Sequence, residues 1–149
     1  MQVRPADKNK DSEVIVRFQL RLAIESEGFH LDPLVTEKGV NAVFNDAAKG
    51  QYYVCEDQGK VIASMLTMPE WSDWRNRTVL WIHSVYVMPD ARKKGAFKFM
   101  YQFLQEKVKA SDAFGGLRLY VDKRNFNAQA VYHRLGMSNQ HYELFEWLK

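Results

Sequence analysis

The stretch that decides the fold is Val85-Tyr86-Val87-Met88-Pro89-Asp90-Ala91-Arg92-Lys93-Lys94-Gly95-Ala96-Phe97. A β-rich run ends at a proline, a basic turn follows, and a helical pattern opens beside a glycine. The first turn of a helix leaves N–H groups unpaired and carries partial positive charge, so it suits a phosphate. Gly95 lets an anion approach the backbone with no Cβ in the way. Arg92, Lys93, Lys94 and Lys98 add full charges, and an arginine can hold phosphate oxygens bidentately. The cluster suits a compact polyanion such as a pyrophosphate better than a long phosphate backbone. An ordinary strand-to-helix connection with a solvated basic cap has the same spacing.

Upstream of this turn, Thr78 to Val87 is rich in β-branched and aromatic residues. Two further β-rich runs, Gln51 to Glu56 and Val61 to Met68, flank Asp57-Gln58-Gly59-Lys60, which is good hairpin chemistry. The three runs predict a meander, with Pro69 to Arg77 as the loop before the third. Nearer the N-terminus, Val14, Ile15, Phe18, Leu22 and Ile24 recur at helical steps after Asp11 or Ser12 and stop at Gly28. A second helix is expected from about Leu34 to Ala48, with Val40, Val43, Phe44 and Ala47 on one side and Gly50 at its end. Met1 to Ala6 reads as a short opening strand, limited to an edge or an end by Pro5.

Downstream, Phe97, Met100, Tyr101, Leu104 and Val108 give a helix starting at Lys93 or Lys94. The break Phe114-Gly115-Gly116 leads to a strand at Leu117 to Val121. Asn125 opens a helix containing Ala128, Val131, Tyr132 and Leu135, stopped by Gly136, and His141 to Leu148 alternates as a last strand. The predicted order is β-α-α-β-β-β-α-β-α-β. That is an α/β (α+β) chain with a mixed, mostly antiparallel twisted sheet and helices on both faces.

The bulk properties agree with one folded domain over residues 1–149. The chain is 46% hydrophobic and 26% charged, with no repeat or linker composition. Its net charge of +3, from 21 basic and 18 acidic residues, is too mild to argue for a nucleic-acid or membrane partner. A lone cysteine, Cys55, leaves no internal disulfide and reads as a buried core thiol. His30, His83, His133 and His141 show no ligand spacing, so no metal is expected. The N-terminal residues are too polar for a signal peptide, and no apolar run approaches a membrane span; the cytoplasm is the expected location.

The opening segment resembles the acetyl-CoA motif of the GNAT superfamily, V-x-P-x-x-[RQ]-x-x-G-x-[GA], with Val87, Pro89, Arg92 and Gly95 in register. Lys93 stands where many members have glycine, and Phe97 where the last small residue is usual. A second segment, Asn125-Phe126-Asn127-Ala128-Gln129-Ala130-Val131-Tyr132-His133-Arg134-Leu135-Gly136-Met137, is similar to the other GNAT signature, N-x-x-A-x-x-x-Y-x-x-x-G-[FM]. Asn125, Ala128, Tyr132 and Gly136 match, and Ala128 and Tyr132 share one helix face.

The resemblance implies an N-acetyltransferase with acetyl-CoA as cosubstrate, in which a neutral primary amine of a small molecule, amino acid or protein attacks the thioester directly. It implies cofactor contacts at Val85, Tyr86, Val87, Arg92, Lys93, Lys94, Gly95, Ala96, Phe97, Lys98, Asn125, Ala128 and Tyr132. Around Val85 to Val87 the strand would splay and offer an N–H to the carbonyl oxygen. Tyr132 is the implied general acid, because a phenol of pKa about 10 stays protonated at neutral pH.

The base is not implied in the same way. Histone-type members carry a glutamate early on this strand, where Trp81 stands here. Glu25 and Glu27 near the end of the first helix, Asp73 in the Trp71-Ser72-Asp73-Trp74 stretch of the Pro69 to Arg77 loop, His83 on the strand, and a water relay all stay open. Asp73 and Trp74 with Trp71 would suit a cationic amine through charge and cation–π contact. Equally, those tryptophans would plug the sheet or form a homodimer contact. Two rival functions share the pattern: a non-catalytic acyl-CoA-binding or regulatory module, and a nucleic-acid-binding domain using the basic turn.

Overall fold

The computed structural model describes residues 1–149, which form two compact units, Met1–Arg118 and Leu119–Lys149. The first holds a five-stranded sheet in the order β1-β2-β3-β4-β5, with β1 at Gln2–Pro5, β2 at Gln51–Asp57, β3 at Lys60–Ser72, β4 at Arg77–Val87 and β5 at Phe114–Arg118. Neighbours are antiparallel except β4 and β5, which run parallel. The mixed, mostly antiparallel sheet expected from the sequence is the one observed.

Helices cover both faces. Between β1 and β2 come α1 (Lys8–Leu22), one wide helical turn (Ala23–Glu27) and α2 (Pro33–Asn45). Asp7 caps α1 and Asp32 caps α2, each carboxylate accepting two backbone N–H groups of its helix's first turn. Ile15 and Val40 from these helices pack on Tyr52, Val54 and Leu66 of the sheet, with Phe44 and Tyr52 rings 5.6 Å apart. Side chains alternate along a strand, so Tyr53 faces the other side. There it meets Phe103 of α3 (Ala96–Lys109) at 5.5 Å, near the buried Met100 and Leu104. Burying one such apolar side chain is worth roughly 1.5–3 kcal/mol.

Three polar residues, Asp11, Ser64 and Thr67, are buried with the core, and Asp11 is the charged one. Asp11 is 1% exposed and takes two hydrogen bonds from Arg4 at 2.7 and 3.0 Å and one from the Asp7 backbone at 2.6 Å. Arg4 also donates to Glu56, so a single guanidinium ties β1, α1 and β2 together.

Several boundaries differ from the sequence reading. β3 runs through Pro69 to Ser72, which read as loop, because each of these residues has a register partner on β4 (Pro69↔Leu80 to Ser72↔Arg77). β5 begins at Phe114 and includes the two glycines read as a break, since Thr78 and Val79 of β4 pair with Phe114 and Gly116. α2 stops at Asn45, and a separate short turn, Ala47–Lys49, carries the chain to Gly50. α3 starts at Ala96, after Lys93 and Gly95 have taken left-handed backbone angles.

The second unit contains α4 (Phe126–Arg134), capped by Asn125, whose side chain accepts from the Ala128 N–H at 3.0 Å. It ends in the paired hydrogen bonds of a left-handed cap. Gly136, at φ 83°, donates to His133, and Met137 donates to Tyr132. The last strand expected at His141 to Leu148 is not formed: these residues make no ladder, and Phe145 and Trp147 are each 89% exposed. The apparent alternation breaks at Leu144-Phe145 and again at Trp147-Leu148. A strand needs a two-residue period and a neighbouring backbone to pair with. No helix of the protein is long and apolar enough to cross a membrane.

Candidate functional site

In the first unit, the distinctive feature is how β4 leaves the sheet. Its ladder with β5 ends at Trp81↔Arg118, while β4 itself runs on to Val87. From Ile82 to Val87 that side of β4 therefore has no β5 partner. Against β3 the register slips as well: Leu66 pairs with His83 but Ser64 with Tyr86. The extra residue is absorbed at Ser84, whose φ is +50°. This is a β-bulge, which bends a strand and re-aims its N–H groups. Splay and bulge together open the backbone near Val85 to Val87.

At the end of β4, Pro89–Ala91 form a short tight turn and residues 92–95 swing into α3. Gly95 is the N-cap of α3 at φ +89°, with no side chain capping the helix, so the first-turn N–H groups are left to an external acceptor. A Cβ placed on Gly95 would meet only the Phe99 ring, at 3.9 Å. The need for glycine is thus conformational, with open space above the turn. Lys93, Lys94 and Lys98 are exposed around it. Ala96 is buried, and Phe97 stacks along the helix on Tyr101 at 6.1 Å and 25°. These residues fit a pyrophosphate: unpaired donors, positive charge and an unobstructed approach.

Arg92 does not lie loose over this turn. Its Nε donates to the Val87 carbonyl at 2.9 Å and its NH2 to Glu25, with the guanidinium 5.7 Å from the Tyr86 ring centroid. The other Glu25 oxygen accepts from the Tyr86 hydroxyl at 2.9 Å. Hydrogen bonding from Arg92 holds the Glu25 carboxyl below its ordinary value, so it stays ionised. Tyr86 is buried against Phe18 at 4.9 Å, which leaves only its backbone to a ligand. Glu27 lies in the same wide turn and is exposed.

A second group sits further back on β4. His83 and Trp81 are two residues apart on one face, their rings 6.2 Å apart. Burial lowers the His83 pKa from its ordinary value, so the imidazole is neutral at pH 7. The Trp81 indole donates to Glu70 on β3, and Arg118 on β5 donates to the same carboxylate at 3.0 Å while lying 5.8 Å from the Trp81 ring. Glu70 and Arg118 were not candidates from the sequence: Glu70 falls in a stretch read as loop, and Arg118 is one charge among many. Asp73 and Trp74 are at the tip of the β3–β4 hairpin, Trp74 89% exposed. They are separated from the phosphate-type turn by the whole of β4, roughly 33 Å of strand.

In the second unit, Ala128 and Tyr132 share a half-buried face of α4. Loss of water raises the Tyr132 phenol above its ordinary value, which keeps it protonated at neutral pH.

A splayed strand, a bulge, a basic turn and an uncapped helix thus follow one another along the first unit. The model of the acetyltransferase (GNAT) family matches residues 19–137. This chain belongs to that family. A crystal structure described as a possible acetyltransferase from Clostridium difficile 630 is 39% identical, with TM-score 0.92, covering 99% of this chain and 97% of that one. More distant folds include glucosamine-6-phosphate N-acetyltransferase from Arabidopsis thaliana, at 17% identity, TM-score 0.74, and 99% and 98% coverage. Ribosomal-protein-alanine N-acetyltransferase from Brucella melitensis biovar Abortus 2308 is 11% identical, with TM-score 0.79 and 99% of both chains covered. No curated protein matches the sequence significantly.

Proposed function

We propose that the protein is an N-acetyltransferase that moves the acetyl group of acetyl-CoA onto a primary amine, and that residues 1–149 act as one domain. The observation that carries this reading is the uncapped start of α3 at Gly95, ringed by Lys93, Lys94 and Lys98 at the end of a splayed strand. Acetyl-CoA supplies an acetyl group activated as a thioester.

In this reading Arg92, Lys93, Lys94, Ala96, Phe97 and Lys98 flank the pyrophosphate, mostly through backbone N–H groups and charge. Val85, Tyr86 and Val87 offer main-chain donors and acceptors to the pantetheine arm, and one N–H steadies the carbonyl oxygen. Asn125 sets the start of α4, and Ala128 keeps its face low beside Tyr132. Tyr132 holds a proton at its phenol oxygen for the departing thiolate. His83, neutral at pH 7, is the base we favour for the amine, over Glu25, Glu27 and Asp73. The reading puts the protein in the cytoplasm with acetyl-CoA and an amine as partners, without a metal, nucleic acid or membrane, and is compatible with a homodimer.

The test follows CoA thiol release with acetyl-CoA and a panel of polyamines, aminoglycosides, amino acids and peptides. Release dependent on one amine class is expected, and Tyr132→Phe should lower turnover about 100-fold with CoA affinity little changed. Tight CoA binding without transfer to any amine would instead favour a non-catalytic acyl-CoA-binding module.

A further inference from the structure

Glu25 and Arg92 are 67 residues apart in sequence, yet the acid from the turn after α1 occupies the one arginine of the phosphate-type turn. The pair is neither buried nor unsupported: the Glu25 side chain is 35% exposed and that of Arg92 46%. Two further hydrogen bonds and one further charge surround it. Tyr86 donates to the free oxygen of Glu25, Arg92 is tied to the Val87 carbonyl, and Arg21 acts electrostatically on both Glu25 and Tyr86.

This arrangement has a physical consequence. A carboxylate on a guanidinium is chemically a weaker version of a phosphate on a guanidinium. A half-exposed pair of this kind contributes little to stability, so a dianionic pyrophosphate can displace it. Glu25 would not be stranded on release, because the Tyr86 hydroxyl and the Arg21 charge remain beside it.

We propose that Glu25 is an internal competitor for Arg92: it holds the guanidinium at the end of β4 in the free protein and yields it to the pyrophosphate of acyl-CoA. Glu25 is thus a positioning residue whose partner is exchanged on cofactor binding. Weakly charged anions gain little from the exchange, which favours diphosphate ligands over them. The proposal rests on the acyl-CoA reading above.

The two are separated by calorimetric titration of CoA into the full-length protein and into Glu25→Gln, each first shown to be folded by its melting curve. Glu25→Gln should bind CoA about two- to five-fold tighter, the span expected on removing an exposed ionic competitor. The advantage should shrink as salt is raised. Merely structural support by Glu25 would give the opposite sign. Equal or weaker binding by Glu25→Gln, with the wild type binding normally, overturns the exchange and leaves the acyl-CoA reading standing. Absence of CoA binding by the folded wild type overturns both. If Glu25→Gln fails to fold, Glu25→Ala carries the same prediction.

Discussion

Trp81 on β4 donates its indole N–H to the carboxylate of Glu70 on β3, and Arg118 on β5 closes on the same carboxylate. Three adjacent strands are thereby joined on one face by a single acid. In histone-type relatives a glutamate is expected where Trp81 stands; here the carboxylate lies one strand away and is engaged by two donors.

Glu70→Ala leaves the indole and the guanidinium without their shared acceptor. Both are partly exposed, so water replaces part of what is lost. A destabilisation of about 1 kcal/mol is expected. Urea denaturation checks it through a lower midpoint at unchanged slope.

His83 governs the acid side of the activity profile in the proposed mechanism. Burial depresses its pKa from 6.5, so the neutral form persists to lower pH than for a free imidazole. The acid limb of kcat/KM for amine acetylation should therefore have its midpoint below 6.5. In His83→Gln this limb should disappear along with most of the activity. A midpoint above 6.5, or a limb unchanged in the variant, removes His83 from the base role.

Asp11 makes stability depend on acid. Burial by itself would raise its carboxyl, but hydrogen bonds from Arg4 and the Asp7 N–H lower it from 3.8. A depressed carboxyl contributes stability that is present above the unfolded value and is lost as pH falls through the folded one. The loss should begin near pH 4 and continue below it. Asp11→Asn should cost about 2–3 kcal/mol at pH 7 and flatten the melting temperature against pH below 4.

Gly50 precedes β2 at φ +138°, and a Cβ there would lie 2.4 Å from the Thr67 carbonyl oxygen and 2.9 Å from Leu66 Cδ1. Backbone cannot give way as a side chain can. Gly50→Ala should lose about 1–3 kcal/mol from the backbone angle, with more from the clash. Gly59→Ala is the comparison, since a Cβ there meets nothing within 4 Å at φ +77°.

What could be read from the sequence was local. A proline stop, a basic turn and a glycine fall within a few residues at Pro89 to Gly95, and the helix from Asn125 to Gly136 carries its own cap and stop. What could not be read depends on distant backbone. Ser84 takes a left-handed angle because two strands slip register, and no glycine marks the place. Pro69 and Gly115-Gly116 look like breaks but lie within strands because β4 supplies pairing on both sides. The Glu25–Arg92 contact joins residues with no local pattern in common.

In the proposed mechanism, acyl-CoA is gripped by backbone N–H groups where β4 gives way to α3. Amide hydrogen exchange with and without saturating CoA measures those donors directly. Slowed exchange concentrated at residues 93–98 is the expected result. Binding of CoA that leaves those amides exchanging as in the free protein would contradict it.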